Sequence, residues 1–211
     1  HPFLKETQQV YQCVDAAVAA LQPIAVPSRG IAKTIAEKLP ILQQATYQKR
    51  MVRAVYLSQE EVFARIAESD VPPLMQESAR AYLAVLKKLR KADKEALIAA
   101  VLTQNKDVFA ALCTQYELNE GFIRSTIWRM IAALTPPQIK EPEAWAPDPD
   151  QPKFRENYCP VCGRRPVIAE LKKFREGRVR HLICGGCGTR WTYARVSCVY
   201  CGNTNLEKMH T

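Results

Sequence analysis

Six cysteines near the end of the chain have the spacing of metal ligands. They belong to three Cys-x-x-Cys-Gly motifs within 43 residues, here called the first, second and third knuckles: Cys159–Gly163, Cys184–Gly188 and Cys198–Gly202. Each knuckle can offer two thiolates to one metal ion, and its glycine can adopt the positive φ that turns backbone N–H groups towards the sulfurs. Two knuckles therefore supply the ligands of one closed tetrahedral site.

The residues between the first two knuckles predict that these two share an ion. The 21 residues between Cys162 and Cys184 fit a β-hairpin that returns the second knuckle to the first. Its strands are expected over 167–174 and 179–183, with a turn at Glu176-Gly177. We therefore expect one metal site made by Cys159, Cys162, Cys184 and Cys187. A hairpin this small has little apolar area to bury, so we expect the metal to order it.

The third knuckle is expected to stand apart from that site. Residues 189–196 alternate like a strand, which would span roughly 25 Å and keep the third knuckle from the same ion. Cys198 and Cys201 would then form half of a second site. His210 could add one ligand, but a histidine so near a chain end is expected to be free. Because the chain begins with His1 rather than Met, we interpret the sequence as part of a longer protein.

The chemistry of such a site is narrow. A Cys-x-x-Cys pair can also serve as a redox pair, but three copies, each followed by glycine, favour metal ligation. Iron and zinc both stay open, because tetrahedral thiolate sites suit either metal. Four protein sulfurs leave no position for water or substrate, so the ion is expected to be structural or electron-carrying. The chain has no Gly-rich phosphate loop, Ser/His/Asp arrangement or His-Glu-x-x-His motif, and we expect no enzymatic activity.

The cysteine-rich end resembles a known family. In order along the chain, Cys159–Pro166, Gly177–Cys184, Cys187–Trp191 and Arg195–Cys198 are similar to the cysteine-rich half of the formate dehydrogenase accessory protein FdhE family. The resemblance covers about 60 residues, and the helical part before them agrees only in kind. The family carries a fourth Cys-x-x-Cys downstream, which this sequence lacks.

That resemblance implies a function that composition and spacing do not. It implies a cytoplasmic assembly factor that binds the catalytic subunit of a respiratory formate dehydrogenase. The factor would help the subunit become active before export. It also implies tandem rubredoxin-like or zinc-ribbon modules that can hold iron.

The whole chain is expected to be an α+β protein in three parts. Apolar residues at helical spacing predict a helical domain over 1–134. A proline-rich linker is expected over 135–152 and the cysteine-rich ribbon module over 153–211, with its second ribbon incomplete. Trp145, an aromatic residue in the linker, could dock onto either domain or onto a partner. Docking onto the chain itself is expected, because an exposed tryptophan lowers solubility.

Two helix boundaries in the first part depend on local signals. The pattern over 31–57 predicts one helix with a break at Pro40, since proline removes a backbone hydrogen bond. Ser58-Gln-Glu-Glu61 has the form of a capping box and predicts the start of a new helix at Ser58. Whether the helical domain forms a homodimer stays open.

Positive charge is concentrated in the ribbon module, and it supports a competing hypothesis. Residues 153–211 hold 12 Lys and Arg against 4 acidic residues, whereas residues 1–152 hold 18 against 17. Part of this excess offsets the thiolates, because four of them around a divalent ion leave a charge of −2. The rest could follow a nucleic-acid backbone while Trp191 or Tyr193 stacks on bases. The candidate phosphate contacts are Arg164, Arg165, Lys172, Lys173, Arg175, Arg178 and Arg180.

The cysteines and the apolar runs also bear on the compartment. Apolar runs are interrupted by Gln, Lys or Arg well before the length that a membrane span needs, so we expect no membrane insertion. Metal thiolates need reduced sulfur, which favours the cytoplasm. Cys13 and Cys113 lie in helical patterns and are expected to be small core residues.

Overall fold

The computed structural model describes residues 2–150 and 152–205, and it confirms the predicted α+β class. Within these residues the chain forms seven α-helices followed by three β-strands. The helices are α1 Pro2–Val18, α2 Ser28–Glu37, α3 Ala45–Glu68, α4 Pro73–Lys88, α5 Lys91–Leu102, α6 Lys106–Gln115 and α7 Glu120–Leu134. The strands are β1 Pro166–Phe174, β2 Gly177–Cys184 and β3 Arg190–Tyr193.

The chain divides into two compact units, each built from two stretches of sequence. The helical unit consists of the residues up to Ile24 together with Ala45–Thr135. The ribbon unit consists of Ala25–Gln44 together with the residues from Pro136 onwards. This division differs from the predicted one, because residues 25–44 and most of the predicted linker belong to the ribbon unit. Among the described residues, no helix is both long enough and apolar enough to cross a membrane.

The helical unit has an aromatic core around its longest helix. The ring of Phe63 on α3 lies 4.4 Å from that of Tyr82 and 5.9 Å from that of Phe122. The Tyr82 hydroxyl donates to Gln59 Oε1 at 2.8 Å, so the buried phenol has a partner. A local signal marks the start of α7. Its N-cap residue, Asn119, accepts a hydrogen bond from Phe122 N at 3.1 Å through its side chain.

The predicted helix start at Ser58 is wrong. Helix α3 runs without interruption through this residue. The Ser58 hydroxyl donates to the carbonyl of Ala54 at 2.8 Å, which is the bond that a serine makes inside a helix. The apolar face of α3, which includes the buried Val55 and Val62, continues on both sides of Ser58 and outweighs the capping signal.

Residues 31–57 do not form one interrupted helix. Helix α2 ends at Glu37, where Lys38 adopts a left-handed conformation with φ 57°. A short 3-10 turn, Ile41–Gln43, follows Pro40, and α3 begins only at Ala45. The break is therefore a separate segment of seven residues rather than a kink, and the two helices belong to different units.

The sheet of the ribbon unit is a simple antiparallel meander. The strand order is β1-β2-β3, with Ala169 opposite Leu182 and Leu182 opposite Trp191. The hairpin turn is Arg175-Glu176, one residue earlier than predicted, and Arg175 has φ 50°. Strand β3 is four residues long, half the length that the alternation over 189–196 predicts.

Residues 136–150 of the predicted linker are ordered within the ribbon unit. Two 3-10 turns, Pro137–Ile139 and Pro142–Ala144, lead to Trp145, which is fully buried. The Trp145 indole donates to the carbonyl of Ile139 at 3.0 Å, and its ring lies 6.0 Å from that of Phe154. The expectation that Trp145 docks onto the protein itself is confirmed, and the prolines shape turns rather than an extended spacer.

Candidate metal centre

All three knuckles have the same backbone conformation. In each, the amide of the final glycine donates to the carbonyl of the first cysteine, at 2.9, 3.2 and 2.8 Å in chain order. The amide of the first cysteine donates to the carbonyl of a later residue, which is Arg164, Thr189 and Asn203 in chain order. Gly163, Gly188 and Gly202 have φ of 78°, 76° and 70°, a region that favours glycine. The Cys-x-x-Cys-Gly motif therefore sets the loop locally.

The structure brings together the four cysteines of the first two knuckles. Their sulfur atoms all lie within 4.8 Å of one another, and all four residues are buried. Cys159 Sγ lies 3.5 Å from Cys187 Sγ, and Cys162 Sγ lies 3.4 Å from Cys184 Sγ. Four sulfurs at about 2.3 Å from a tetrahedral ion would be about 3.8 Å apart, so the cluster has the size that zinc or ferrous iron requires.

The surroundings of the cluster shift the pKa values of three of its cysteines in opposite directions. Burial raises the pKa of Cys159 and of Cys162, because the low-dielectric surroundings disfavour a thiolate. The neighbouring thiols lower the pKa of Cys184 by hydrogen bonding to its sulfur. A divalent cation bound to the four sulfurs would supply the charge that favours deprotonation of all of them.

Backbone and hydroxyl groups are placed to support the sulfurs. The amide of Gly186 lies 3.3 Å from Cys184 Sγ, and the amide of Cys162 lies 3.5 Å from Cys159 Sγ. Thr189 Oγ1 lies 3.1 Å from Cys187 Sγ. Such outer contacts orient thiolate ligands and stabilise their charge.

Residues 25–44 support the first knuckle, although they lie far from it in sequence. Sequence reasoning missed this role. The amides of Ile41 and Leu42 donate to the carbonyls of Pro160 and Val161 at 3.0 and 2.8 Å. A Cβ on Gly163 would meet the side chains of Gln43 and Pro40. The backbone of the first knuckle is therefore pinned by a segment that precedes it by about 120 residues.

The second knuckle is held by the sheet instead. Cys184 is the last residue of β2, and it lies opposite Pro166 at the start of β1. Its amide donates to the carbonyl of Thr189, one residue before β3 begins. The hairpin thus joins the two knuckles, as the 21-residue spacing predicts.

The third knuckle lies outside the cluster. Cys198 is partly exposed and Cys201 is exposed. The backbone amides of Cys201 and Tyr200 lower the pKa of Cys198 by hydrogen bonding to its sulfur, so this knuckle favours a thiolate. Within residues 2–150 and 152–205, no further Cys, His, Asp or Glu completes a metal-binding group around it. His210, the other ligand considered, lies outside the described residues.

Comparisons with known proteins agree with the residues that carry the resemblance. Residues 158–195 match the family described as FdhE, central domain. A protein FdhE homolog of Aquifex aeolicus is 38% identical over 58 residues, which cover 27% of this chain and 20% of the relative. Protein FdhE of Salmonella choleraesuis is 26% identical over 145 residues, or 69% of this chain and 44% of the relative. The chain is therefore similar to FdhE proteins, most specifically over residues 158–195.

The FdhE resemblance extends to the fold. The crystal structure of the FdhE protein from Pseudomonas aeruginosa aligns with 97% of this chain and 65% of its own, with a TM-score of 0.55 and 18% identity. At that identity the alignment supports a shared fold. The chain spans less than half the length of the two FdhE relatives named above.

Proposed function

We propose that this chain is a metal-binding accessory protein that helps a formate dehydrogenase become active. The observation that carries the proposal is the buried four-sulfur cluster in the part of the chain that matches the FdhE central domain. Cys159, Cys162, Cys184 and Cys187 would hold one iron or zinc ion. With all four positions taken by protein sulfur, the ion stabilises the ribbon unit or carries an electron and does not activate water.

The metal itself is open to a direct measurement. Protein purified without air is analysed for bound metal and its absorption spectrum is recorded after exposure to an oxidant. An iron tetrathiolate becomes coloured in its ferric form, whereas zinc stays colourless. One equivalent of either metal that is lost in Cys184→Ser supports the site. Protein that binds neither metal contradicts it.

We propose further that the partner is the catalytic subunit of a respiratory formate dehydrogenase, bound in the cytoplasm. The similarity to FdhE proteins supports this, and so does an exposed apolar surface on β1. This edge strand exposes 67% of Val167, 59% of Ile168 and 53% of Leu171. Large apolar side chains on an edge strand are a typical protein-binding surface, because monomeric proteins usually protect such edges.

A pull-down from cell extract, with and without nuclease, tests the partner. The chain should retain an immature formate dehydrogenase catalytic subunit in both conditions, and Leu171→Glu should weaken that retention. Lys173→Glu, at another exposed position of the same strand, is the matched control. Cells that lack the protein should make the subunit without its activity. Partners that are all removed by nuclease, with no dehydrogenase subunit among them, would favour the nucleic-acid hypothesis.

Cys198 and Cys201 are proposed as half of a second metal site. Their knuckle has the same backbone conformation as the two knuckles of the cluster, and the pKa of Cys198 is already lowered. Two thiolates alone hold a tetrahedral ion weakly, so a complete site needs further ligands from another molecule or from residues outside 2–150 and 152–205. A homodimer that supplies them is one source, and sedimentation with and without added zinc would detect it.

A further inference from the structure

An arginine-rich cavity lies in the ribbon unit, outside the sulfur cluster. Its volume is about 540 Å³, within the range of small-molecule sites. The walls come from the hairpin turn, the end of β3 and the segment before the first knuckle. Five arginines line it: Arg155, Arg175, Arg178, Arg180 and Arg195.

The charge of this cavity is strongly positive. Asp150 is the one acidic residue among its lining residues, which leaves four guanidinium charges in excess. Asp150 pairs with Arg175 at 2.6 Å. Arg178 and Arg195 form no ion pair with any carboxylate in the part of the chain that the structure describes. Arginine does not lose its proton in proteins, so the described lining keeps an excess of positive charge that suits an anionic ligand.

Several of the guanidinium groups are held in place before any ligand arrives. Arg180 donates to the carbonyls of Ser197 and Ala194 at 2.8 and 3.4 Å and lies 5.8 Å from the ring centre of Tyr193. Arg155 donates to the carbonyl of Pro152 at 2.9 Å. Groups fixed in this way lose little conformational entropy on binding, which raises affinity for a ligand that matches them.

We propose that this arginine cavity binds a small molecule that carries two or more phosphate groups, of the size of a nucleoside diphosphate or triphosphate. The planar fork of a guanidinium matches phosphate oxygens in a bidentate geometry. The rings of Phe174 and Tyr193, together with guanidinium planes, provide surfaces on which a base stacks.

A small ligand fits the distribution of basic residues better than a nucleic-acid strand does. Of the seven candidate phosphate contacts in the sequence, Arg175, Arg178 and Arg180 line this cavity. Arg165 lines a different cavity, and Lys172 pairs with Glu170 at 3.7 Å. A strand would need contacts that follow its backbone, whereas this cavity concentrates them around one volume.

Calorimetry of the metal-loaded chain with ATP, AMP and inorganic pyrophosphate tests the proposal. We expect one ATP per chain, bound about tenfold more tightly than AMP because added phosphates add charge-assisted hydrogen bonds. Arg178→Ala/Arg195→Ala should weaken ATP binding by about tenfold or more. Both side chains are exposed, so their loss leaves the fold intact. Metal content is measured after each titration, because polyphosphates chelate divalent ions.

Two further variants and two other probes sharpen the result. Arg53→Ala/Arg165→Ala removes two exposed arginines outside the cavity and should change ATP affinity by less than about twofold. Arg178→Lys/Arg195→Lys keeps the charge without the fork and should show an intermediate loss. Absence of ATP and pyrophosphate binding at millimolar concentrations would overturn the proposal. Tighter binding of a single-stranded oligonucleotide or a glutamate-rich peptide, lost in the same alanine variant, would also overturn it.

Discussion

The first and third knuckles have nearly the same backbone but very different surroundings. Gly163 and Gly202 differ by 8° in φ, and both loops close with a glycine amide on a cysteine carbonyl. Cys159 is fully buried among three other sulfurs, whereas Cys201 is exposed. The five-residue motif thus determines the loop, and the elements packed around the loop determine whether its sulfurs form a complete site.

The largest effect is expected from Cys159→Ser. Three remaining thiolates bind a divalent ion far less tightly, and metal binding at such a site contributes on the order of 10 kcal/mol to folding. The variant should lose one metal equivalent, and residues 159–193 should exchange amide hydrogens faster. Cys13→Ser, in α1, is the control and should keep the metal. Unchanged metal content in Cys159→Ser would refute the pairing of the first two knuckles.

A second effect should come from the segment that supports the first knuckle. Ile41 is fully buried in the ribbon unit, and its amide bonds to Pro160. Ile41→Ala should destabilise the ribbon unit by about 2–5 kcal/mol and weaken metal binding with it, because the two are thermodynamically linked. Ile98→Ala removes an equally buried side chain from the helical unit and should leave metal affinity unchanged. Equal metal affinities of the two variants would contradict the supporting role of residues 25–44.

The sequence predicts the knuckle cluster well because its determinants are local. The Cys-x-x-Cys-Gly motifs and a hairpin of 21 residues between two of them suffice to bring four sulfurs together. Residues 25–44 could not be assigned to the ribbon unit from sequence, because the contacts that place them there join distant parts of the chain. The Tyr158 hydroxyl, for example, donates to the carbonyl of Lys38, 120 residues away in sequence. Pro40 signals a break in a helix, but no local signal indicates where the broken segment packs.

The error at Ser58 has a different origin. The pattern Ser58-Gln-Glu-Glu61 is compatible both with the start of a helix and with the exposed face of a helix that continues. The buried positions of α3 on both sides decide between them, and those depend on tertiary packing. The arginine cavity was likewise visible in the sequence only as an excess of charge, because its walls come from three separate stretches.

A smaller effect should depend on pH and on His181 in β2. Burial is the largest cause that lowers the pKa of His181, and the positive charges of Lys172 on β1 and Arg190 on β3 lower it further. The carboxylates of Glu170 on β1 and Glu143 in a 3-10 turn oppose this shift. Its buried Nδ1 has no hydrogen-bond partner in the described structure. The neutral imidazole is therefore the form that the folded ribbon unit favours.

The sign of the pH dependence follows from that preference. Below the unfolded pKa of about 6.5, the unfolded chain binds a proton that the folded chain resists, so stability falls as the pH is lowered, by at most about 1.4 kcal/mol per pH unit. Urea unfolding of the metal-loaded chain at pH 7.5 and 5.5, followed by tryptophan fluorescence, measures the loss. His181→Gln should lose less stability over this range, although protonation of the thiolates affects both proteins. Parallel losses would exclude a contribution from His181.

The smallest effect on the cluster is expected from Cys198→Ser. Cys198 lies outside the four sulfurs, and its knuckle is anchored separately, by Asn157 donating to Val199 at 3.0 Å and by Arg180 donating to Ser197 at 2.8 Å. Because the substitution removes a thiolate from an incomplete half-site, it should leave the metal equivalent of the first two knuckles and the exchange rates of β1 and β2 unchanged. Metal analysis beside Cys159→Ser makes the comparison direct. Loss of that metal in both variants would mean that the third knuckle shares the ion. The short β3 and the irregular segment after it would then return the third knuckle to the cluster, which an extended strand could not do.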